Sequence, residues 1–214
     1  MKKQLMILGV VLSLFGLAAC GSKKEAKKEA DLANTELNTT IVKKDTTPAH
    51  QDIRLKFNEI VLATAANEFK GGTNLETLKK MFGEPVSHET VPAGDVSVDL
   101  YSWAFDQVSL RVHLYQDSSI VRSISNFQFN REQTITKSAV DALKVTQGDN
   151  LGESFQAVSD KLGQPDVMSQ AMSSEKEEIQ AVWTSGLKTD SGATLILNFE
   201  NNALTQIEQT GLKD

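Results

Sequence analysis

Apolar residues recur at helical spacing in two separate segments of the chain. They follow an i, i+3, i+7 pattern at Leu75, Leu78 and Phe82, and again at Phe155, Val158 and Leu162. This spacing predicts two short helices that each bury one face. We expect the helices to end at Gly83 and Gly163, each the first residue of a Gly-x-Pro sequence, because glycine accepts a positive φ and proline cannot continue a helix.

Strict alternation of apolar and polar residues replaces the helical period downstream of each proline. Residues 108–115 and 193–199 alternate in this way, which predicts half-buried strands. Further strands are predicted near residues 86–90, 96–105, 120–128, 167–171, 178–184 and 203–210. Helices followed by runs of strands are typical of an α+β fold, with an antiparallel sheet and helices on one face.

The body of the chain contains one sequence unit twice. An offset of 80 residues superposes the two helix segments and also Trp103 on Trp183, the only tryptophans in the chain. Apolar pairs that predict a first short helix in each unit lie at residues 57–60 and 140–143. We therefore predict two tandem repeats, residues 51–130 and 131–214, each a helix-loop-helix packed on a four-stranded antiparallel sheet. Tryptophans at a repeated position indicate core packing; the alternative is that they anchor a partner.

Residues 1–19 have the features of a bacterial lipoprotein signal peptide. Lys2 and Lys3 precede an apolar stretch that is shorter than the roughly 20 residues of a membrane span but typical of a signal sequence. The stretch ends in Leu-Ala-Ala-Cys, which resembles the bacterial lipobox. That resemblance implies cleavage before Cys20, lipidation of its sulfur and a stable acyl anchor in the membrane. The alternative is an ordinary signal peptide that ends in a cysteine by chance.

Residues 20–50 contain almost no large apolar side chains. Such a segment buries too little surface to offset its ordering entropy, so we predict a lipidated cysteine followed by a disordered tether. Its end-to-end distance as a random coil is about 30 Å. The expected location is the extracellular face of the cell membrane of a Gram-positive bacterium, or otherwise the periplasmic side of an envelope membrane.

Charge and cysteine content exclude several classes of function. The formal net charge is −6, and residues 51–214 hold 14 Lys/Arg and 23 Asp/Glu, which leaves the body at −9. An acidic body does not bind nucleic acid, whose phosphates need a basic patch. A single cysteine cannot form an intrachain disulfide, and together with three scattered histidines it excludes a Cys/His zinc site. No cofactor or metal site is predicted.

The order of segments is similar to that of the β-lactamase-inhibitor-protein-like family. The resemblance rests on Lys56-Phe57-Asn58-Glu59-Ile60, on the helices that end in Gly-x-Pro, on a tryptophan in the second strand and on the tandem layout. It includes Gram-positive lipoproteins of unknown function and small lipoproteins of the β-barrel assembly machinery. The resemblance implies a concave sheet that grips a protein partner, with Asp106 presented by the hairpin between the second and third strands. The matching second hairpin offers Leu187 where the inhibitor has an aromatic residue.

A second candidate surface comes from the third strand of the first unit. Leu110, Val112 and Leu114 are expected to face the helices, which places Arg111, His113 and Tyr115 together on the opposite face. Arginine and tyrosine are frequent hot-spot residues of protein interfaces. We therefore predict that these three residues and Asp106 bind a protein partner; the alternative is an ordinary solvated sheet face.

Catalytic patterns are weak in the body. His88 and His113 have no nucleophile-elbow sequence to accompany them, and the pattern at Glu175, Glu177 and Glu178 indicates a solvated loop rather than a catalytic carboxylate pair.

The first hypothesis is therefore a non-enzymatic, lipid-anchored module that binds an unknown envelope or extracellular protein. The alternatives are an envelope-assembly or wall-maintenance scaffold, an inhibitor of a β-lactamase or penicillin-binding protein, and a small-ligand binder or hydrolase.

The lipid anchor is testable through Cys20. We expect Cys20→Ala to leave the protein unprocessed or released into the medium, because no thiol remains for lipidation, while the fold of the body is unchanged. Membrane fractionation and intact mass of the wild type and the variant measure this. A soluble wild-type protein with an unmodified Cys20 thiol would contradict the prediction.

Overall fold

The computed structural model describes residues 48–214, which form the body of the protein. The predicted signal peptide, Cys20 and nearly all of the predicted tether lie outside the described residues. Among residues 48–214, no helix is long and apolar enough to cross a membrane.

In this part of the chain, two helices and four strands are followed by two more helices and four more strands. The helices are α1 (Gln51–Phe57), α2 (Leu75–Phe82), α3 (Lys137–Asp141) and α4 (Phe155–Leu162), with a 3₁₀ turn (Ala65–Asn67) between α1 and α2. The strands are β1 (Ser87–Ala93), β2 (Val96–Phe105), β3 (Val108–Tyr115), β4 (Ser118–Ser125), β5 (Val167–Met172), β6 (Glu177–Trp183), β7 (Thr194–Glu200) and β8 (Ala203–Thr210).

All eight strands form one antiparallel sheet in the order β1 to β8. The predicted α+β class is confirmed, but the strands do not form two separate four-stranded sheets. β4 pairs with β5 from Val121 opposite Ala171 to Ile124 opposite Met168. This pairing satisfies two strand edges that would otherwise expose unpaired backbone groups. The sequence did not predict it because β4 and β5 are 41 residues apart in the chain.

The helices cover one face of the sheet and form the main core with it. Trp103 and Trp183 are buried there, 2% and 0% exposed. Each indole N–H donates to the carbonyl of the glycine that ends the preceding helix, Gly83 at 2.8 Å and Gly163 at 3.1 Å. The same hydrogen bond between the helix end and the sheet occurs in both units. The repeated tryptophan is therefore a packing residue.

The two glycines have positive φ as predicted, but their ψ is extended rather than helical. The angles are φ 83° and ψ −169° at Gly83, and φ 77° and ψ 172° at Gly163. Only glycine adopts this region without strain. Two polar side chains satisfy backbone N–H groups at the start of α2 and in the loop before it. Asn74 is the N-cap and accepts from the Thr77 N–H, while the Thr73 hydroxyl accepts from the Val61 N–H.

A buried carboxylate fastens the segment that crosses from β4 to α3. Asp166, fully buried at the start of β5, accepts hydrogen bonds from the N–H groups of Phe129, Thr184 and Ser185 and from the guanidinium of Arg131. Burial alone raises the pKa of the Asp166 carboxyl, but the bonds from Phe129, Ser185 and Thr184 outweigh it and hold the pKa below its ordinary value.

Two arginines connect α1 to the second unit and to β4. Arg54, fully buried, donates twice to the carbonyl of Pro165, at 3.2 and 2.7 Å. Arg122 donates to the carbonyls of Phe57, Asn58 and Ile60, at and just after the C-terminal end of α1. Burial lowers the pKa of each guanidinium to about 10, and both remain charged at neutral pH.

We expect Asp166→Ala to lower the free energy of unfolding by about 3–5 kcal/mol, because Arg131 and three backbone N–H groups lose a buried acceptor. Asp190→Ala is the matched control. Asp190 also pairs with one cation, Lys213, but its side chain is 73% exposed, so the loss should stay below about 1 kcal/mol. Denaturant unfolding measures both. Similar losses in the two variants would show that Asp166 does not hold the junction.

Candidate functional site

The sheet face that does not pack against the helices is called the open face here. The register of β3 places Arg111, His113 and Tyr115 on it, since Leu110, Val112 and Leu114 are buried on the helix side. Neighbouring strands place paired side chains on the same side, so rows run across the sheet. Arg111 lies between Ser102 on β2 and Ser123 on β4.

Part of the open face is covered by the loop between α1 and α2. Phe69 of this loop is 5% exposed and packs in a second apolar cluster with Val98, Ile120 and Val121. Tyr115 joins the cluster through an edge-on contact with the Phe69 ring, with ring centroids 6.2 Å apart. The predicted row of three contact residues is therefore not uniform, because Arg111 is exposed while His113 and Tyr115 are half-buried.

His113 is half-buried and lies opposite Val121 on β4. Burial, and secondarily the positive charge of Arg111, lower the pKa of the imidazole from 6.5 to about 4. His113 is therefore neutral at physiological pH. It can accept or donate one hydrogen bond on the open face but brings no charge to it.

Asp106 lies at the turn between β2 and β3, with a positive φ of 52°. Its side chain is 80% exposed, and its Oδ2 lies 2.6 Å from Nε2 of His50. The His50 ring also packs near Phe105, with ring centroids 6.1 Å apart. The start of the described chain is thus tied to the hairpin that carries Asp106.

A groove of 1010 Å³ runs along the open face next to this hairpin. Its walls are formed by Pro48 and Ala49, by Gln107 and Val108 at the start of β3, by residues 125–128 at and after the end of β4, and by Thr184. Its floor consists of open-face residues of the second unit: Val167, Gln180, Val182, Thr194, Ile196 and Thr210. None of these lining residues carries a charge, although the body as a whole is strongly acidic.

The apolar stripe of the groove floor lies beside a row of amides that starts at Gln180 of the floor and continues beyond the groove lining. Val182 pairs with Val167 on one side and Ile196 on the other, so the three side chains lie next to one another. In the adjacent row, Gln180 donates to Asn198 at 3.2 Å, and Asn198 donates to Gln206 at 3.3 Å. The floor therefore offers apolar contact together with neutral donors and acceptors, which suits a polypeptide backbone.

The second hairpin loop does not project Leu187 toward a partner. Leu187 is 2% exposed, and its neighbours bond to the segment before α3: Gly186 accepts from the Ile135 N–H, and Lys188 donates to the Ile135 carbonyl. This loop is therefore part of the core of the second unit.

The structure brings Asp106 close to the groove through Gln107, while Arg111, His113 and Tyr115 lie farther along β3. Sequence reasoning missed the groove. The alternation in β6 and β7 could have identified its floor residues, but the wall depends on the pairing of β4 with β5 and on the path of residues 125–128. Within residues 48–214, no group of three or more His, Cys, Asp or Glu could hold a metal ion.

Residues 49–212 match the model of the DUF3862 family, a domain of unknown function with a solved structure. A crystal structure at 1.40 Å resolution of a Streptococcus mutans protein, described as a candidate β-lactamase inhibitor protein, shares 45% sequence identity with the chain. The TM-score is 0.71, and the match covers 78% of this chain and 99% of that one. A search of curated proteins finds no match to the chain.

The burial of His113 has a measurable consequence. We expect an NMR titration of its imidazole to show a midpoint near pH 4 rather than 6.5. The unfolded chain then binds this proton at a higher pH than the folded protein, so the free energy of unfolding falls as the pH is lowered from 6.5 toward 4. His113→Gln should weaken that dependence. A midpoint near the ordinary value would show that the residue is freely solvated.

Proposed function

The chain belongs to the DUF3862 family, and on that premise we propose that it is a non-enzymatic module that binds another protein through the open face of its sheet. In this proposal the two units act together. Each contributes a helix pair and four strands, and the joined strands present one continuous surface to the partner.

The observation that carries the proposal is the open face itself. It combines an exposed cation, Arg111, with a groove that has apolar and amide side chains on its floor. Interfaces between proteins combine apolar contact with neutral hydrogen-bonding groups in this way, and arginine is enriched at their energetically dominant positions. The similar Streptococcus mutans protein, described as a candidate inhibitor of an enzyme, agrees with a role in protein binding.

The polar residues of the body favour binding over catalysis. His88 stacks on Tyr101 with ring centroids 4.4 Å apart, and its Nε2 lies 2.9 Å from Asp99. The pair has a base and an orienting carboxylate, but Thr90, the nearby hydroxyl, is bonded to the same carboxylate at 3.0 Å. A nucleophile needs a hydrogen bond to the base, and Thr90 is instead held by the carboxylate.

We further propose that Cys20 carries lipid and holds the protein on the extracellular face of the membrane. Twenty-seven residues lie between Cys20 and Pro48, where the described body begins. The random coil that the composition predicts for this tether spans about 30 Å, which places the partner on or near the same membrane. This distance is compatible with both an individual surface protein and a larger envelope-assembly machine.

Inhibition of a β-lactamase or penicillin-binding protein is the second candidate. It is favoured by the description of the Streptococcus mutans protein and by the exposed Asp106 carboxylate at the tip of the first hairpin. Leu187 is buried where the inhibitor family presents an aromatic residue, which weakens this candidate. Titration of a class A β-lactamase with micromolar detergent-solubilised protein tests it, and unchanged activity removes this candidate alone.

The main proposal is tested by crosslinking in intact cells. We expect Arg111→Ala to reduce the yield of the specific crosslinked partner about tenfold or more, as for a hot-spot residue. Lys80→Ala, which removes an exposed cation from α2, is the matched control and should leave the yield unchanged. Both variants should keep their stability within about 0.5 kcal/mol. Equal yields from the two variants would contradict binding through the open face. Tyr115 is not substituted because its ring packs against Phe69.

A further inference from the structure

The groove on the open face is uncharged, which restricts what can occupy it. Its lining combines the Val167, Val182 and Ile196 stripe with amide and hydroxyl side chains. A charged side chain placed on this floor would lose its hydration without gaining a counter-ion. The surface therefore fits an extended, uncharged polypeptide segment, whose backbone bonds to amides and hydroxyls while small apolar side chains contact the stripe.

The chain contains one such segment shortly before Pro48, which lines the groove. Leu37-Asn38-Thr39-Thr40-Ile41-Val42 is the longest run without a charged residue between Lys23 and Thr47. Its last four residues are β-branched, and such residues favour the extended conformation. The segment therefore has the composition that the groove lining requires.

The chain before Pro48 is long enough for this segment to reach the groove floor. Pro48 and Ala49 form part of the groove wall, and the bond between His50 and Asp106 ties the next residue to the β2–β3 turn. Val42 is six residues before Pro48, a reach of about 20 Å when extended. Crossing the floor from β5 to β8 takes three strand spacings, about 14 Å. The reach is sufficient for Ile41 and Val42 to contact the apolar stripe.

Charged residues at the edge of the groove also favour placement of residues 37–42 on its floor. Lys43 and Lys44 follow the uncharged run, and Glu208 lies opposite Ile196 in the pairing of β7 with β8. An exposed carboxylate at that position can pair with either lysine while the uncharged residues stay on the floor.

We propose that the groove is a polypeptide-binding site and that residues 37–42 of the same chain occupy it. The inference rests on the proposed function in one respect: a partner that uses this part of the open face must displace the segment.

The experiment uses the protein alone, without a partner. A negative result therefore rejects the docking of residues 37–42 without rejecting the proposed binding of another protein. Cys20→Ala gives a full-length chain without cysteine, into which Ile41→Cys and Ile196→Cys are introduced. We expect an intramolecular disulfide to form on mild oxidation in detergent solution. The matched control has the same two cysteines and also carries Thr40→Asp and Val42→Asp. These substitutions keep the length of the tether but add two negative charges to the segment that would dock on the uncharged floor. Its disulfide should form at least about tenfold more slowly, because docking no longer raises the effective concentration.

A second measurement uses Ile196→Cys alone in the cysteine-free chain. Its rate of reaction with a maleimide should rise several-fold when Thr40→Asp and Val42→Asp are added, since the stripe is then uncovered. The proposal is overturned if the disulfide rate and the maleimide rate are each the same with and without Thr40→Asp and Val42→Asp. A disulfide that forms mainly between two molecules also overturns it, and assigns the groove to a second copy of the chain. Protection of Ile196→Cys that appears only after a foreign protein is added assigns the groove to a partner segment instead.

Discussion

The Asp166 carboxylate is buried where the chain passes from the first unit to the second. Its oxygens accept from Phe129 and Arg131 of the crossover segment and from Thr184 and Ser185, which directly follow β6. A buried carboxylate without these partners would be strongly destabilising, and the N–H groups without the carboxylate would be unsatisfied. The bonds therefore fix the crossover against the second unit, while Arg54 fixes α1 to the adjacent Pro165 carbonyl. The continuous sheet and the groove both depend on this junction.

The same constraint explains why the two units differ despite their repeated pattern. The 80-residue offset aligns Asp166 with Val86, which is 68% exposed. Within residues 48–214 no strand precedes β1, and the Val86 N–H donates to the Ser102 carbonyl at 2.8 Å. In the second unit, residues 126–128 of the crossover line the groove, directly before the residues that Asp166 holds. A stability requirement at the junction thus positions one wall of the candidate site.

The row of Arg111, His113 and Tyr115 shows how much of a candidate binding surface a periodic sequence pattern can predict. Alternation in β3 correctly separates Leu110, Val112 and Leu114 from Arg111, His113 and Tyr115, because side chains of a strand point to opposite faces in turn. It does not predict that Phe69, 46 residues before Tyr115, covers one end of the row. Burial of His113, and with it the low pKa of its imidazole, follows from the packing of the open face and not from the sequence of β3.

Local interactions determined what the sequence alone could predict. Helical spacing, the Gly-x-Pro ends, strand alternation and the repeated tryptophan indicated the α+β class and the order of elements, because each depends on residues a few positions apart. The Leu-Ala-Ala-Cys ending at Cys20 predicted an anchor for the same reason. Tertiary structure alone decided that β4 pairs with β5, that Leu187 is buried, and that uncharged residues from seven segments meet in one groove. These features depend on contacts between residues far apart in the chain, whose free energies are set by packing and hydrogen bonding in the folded state.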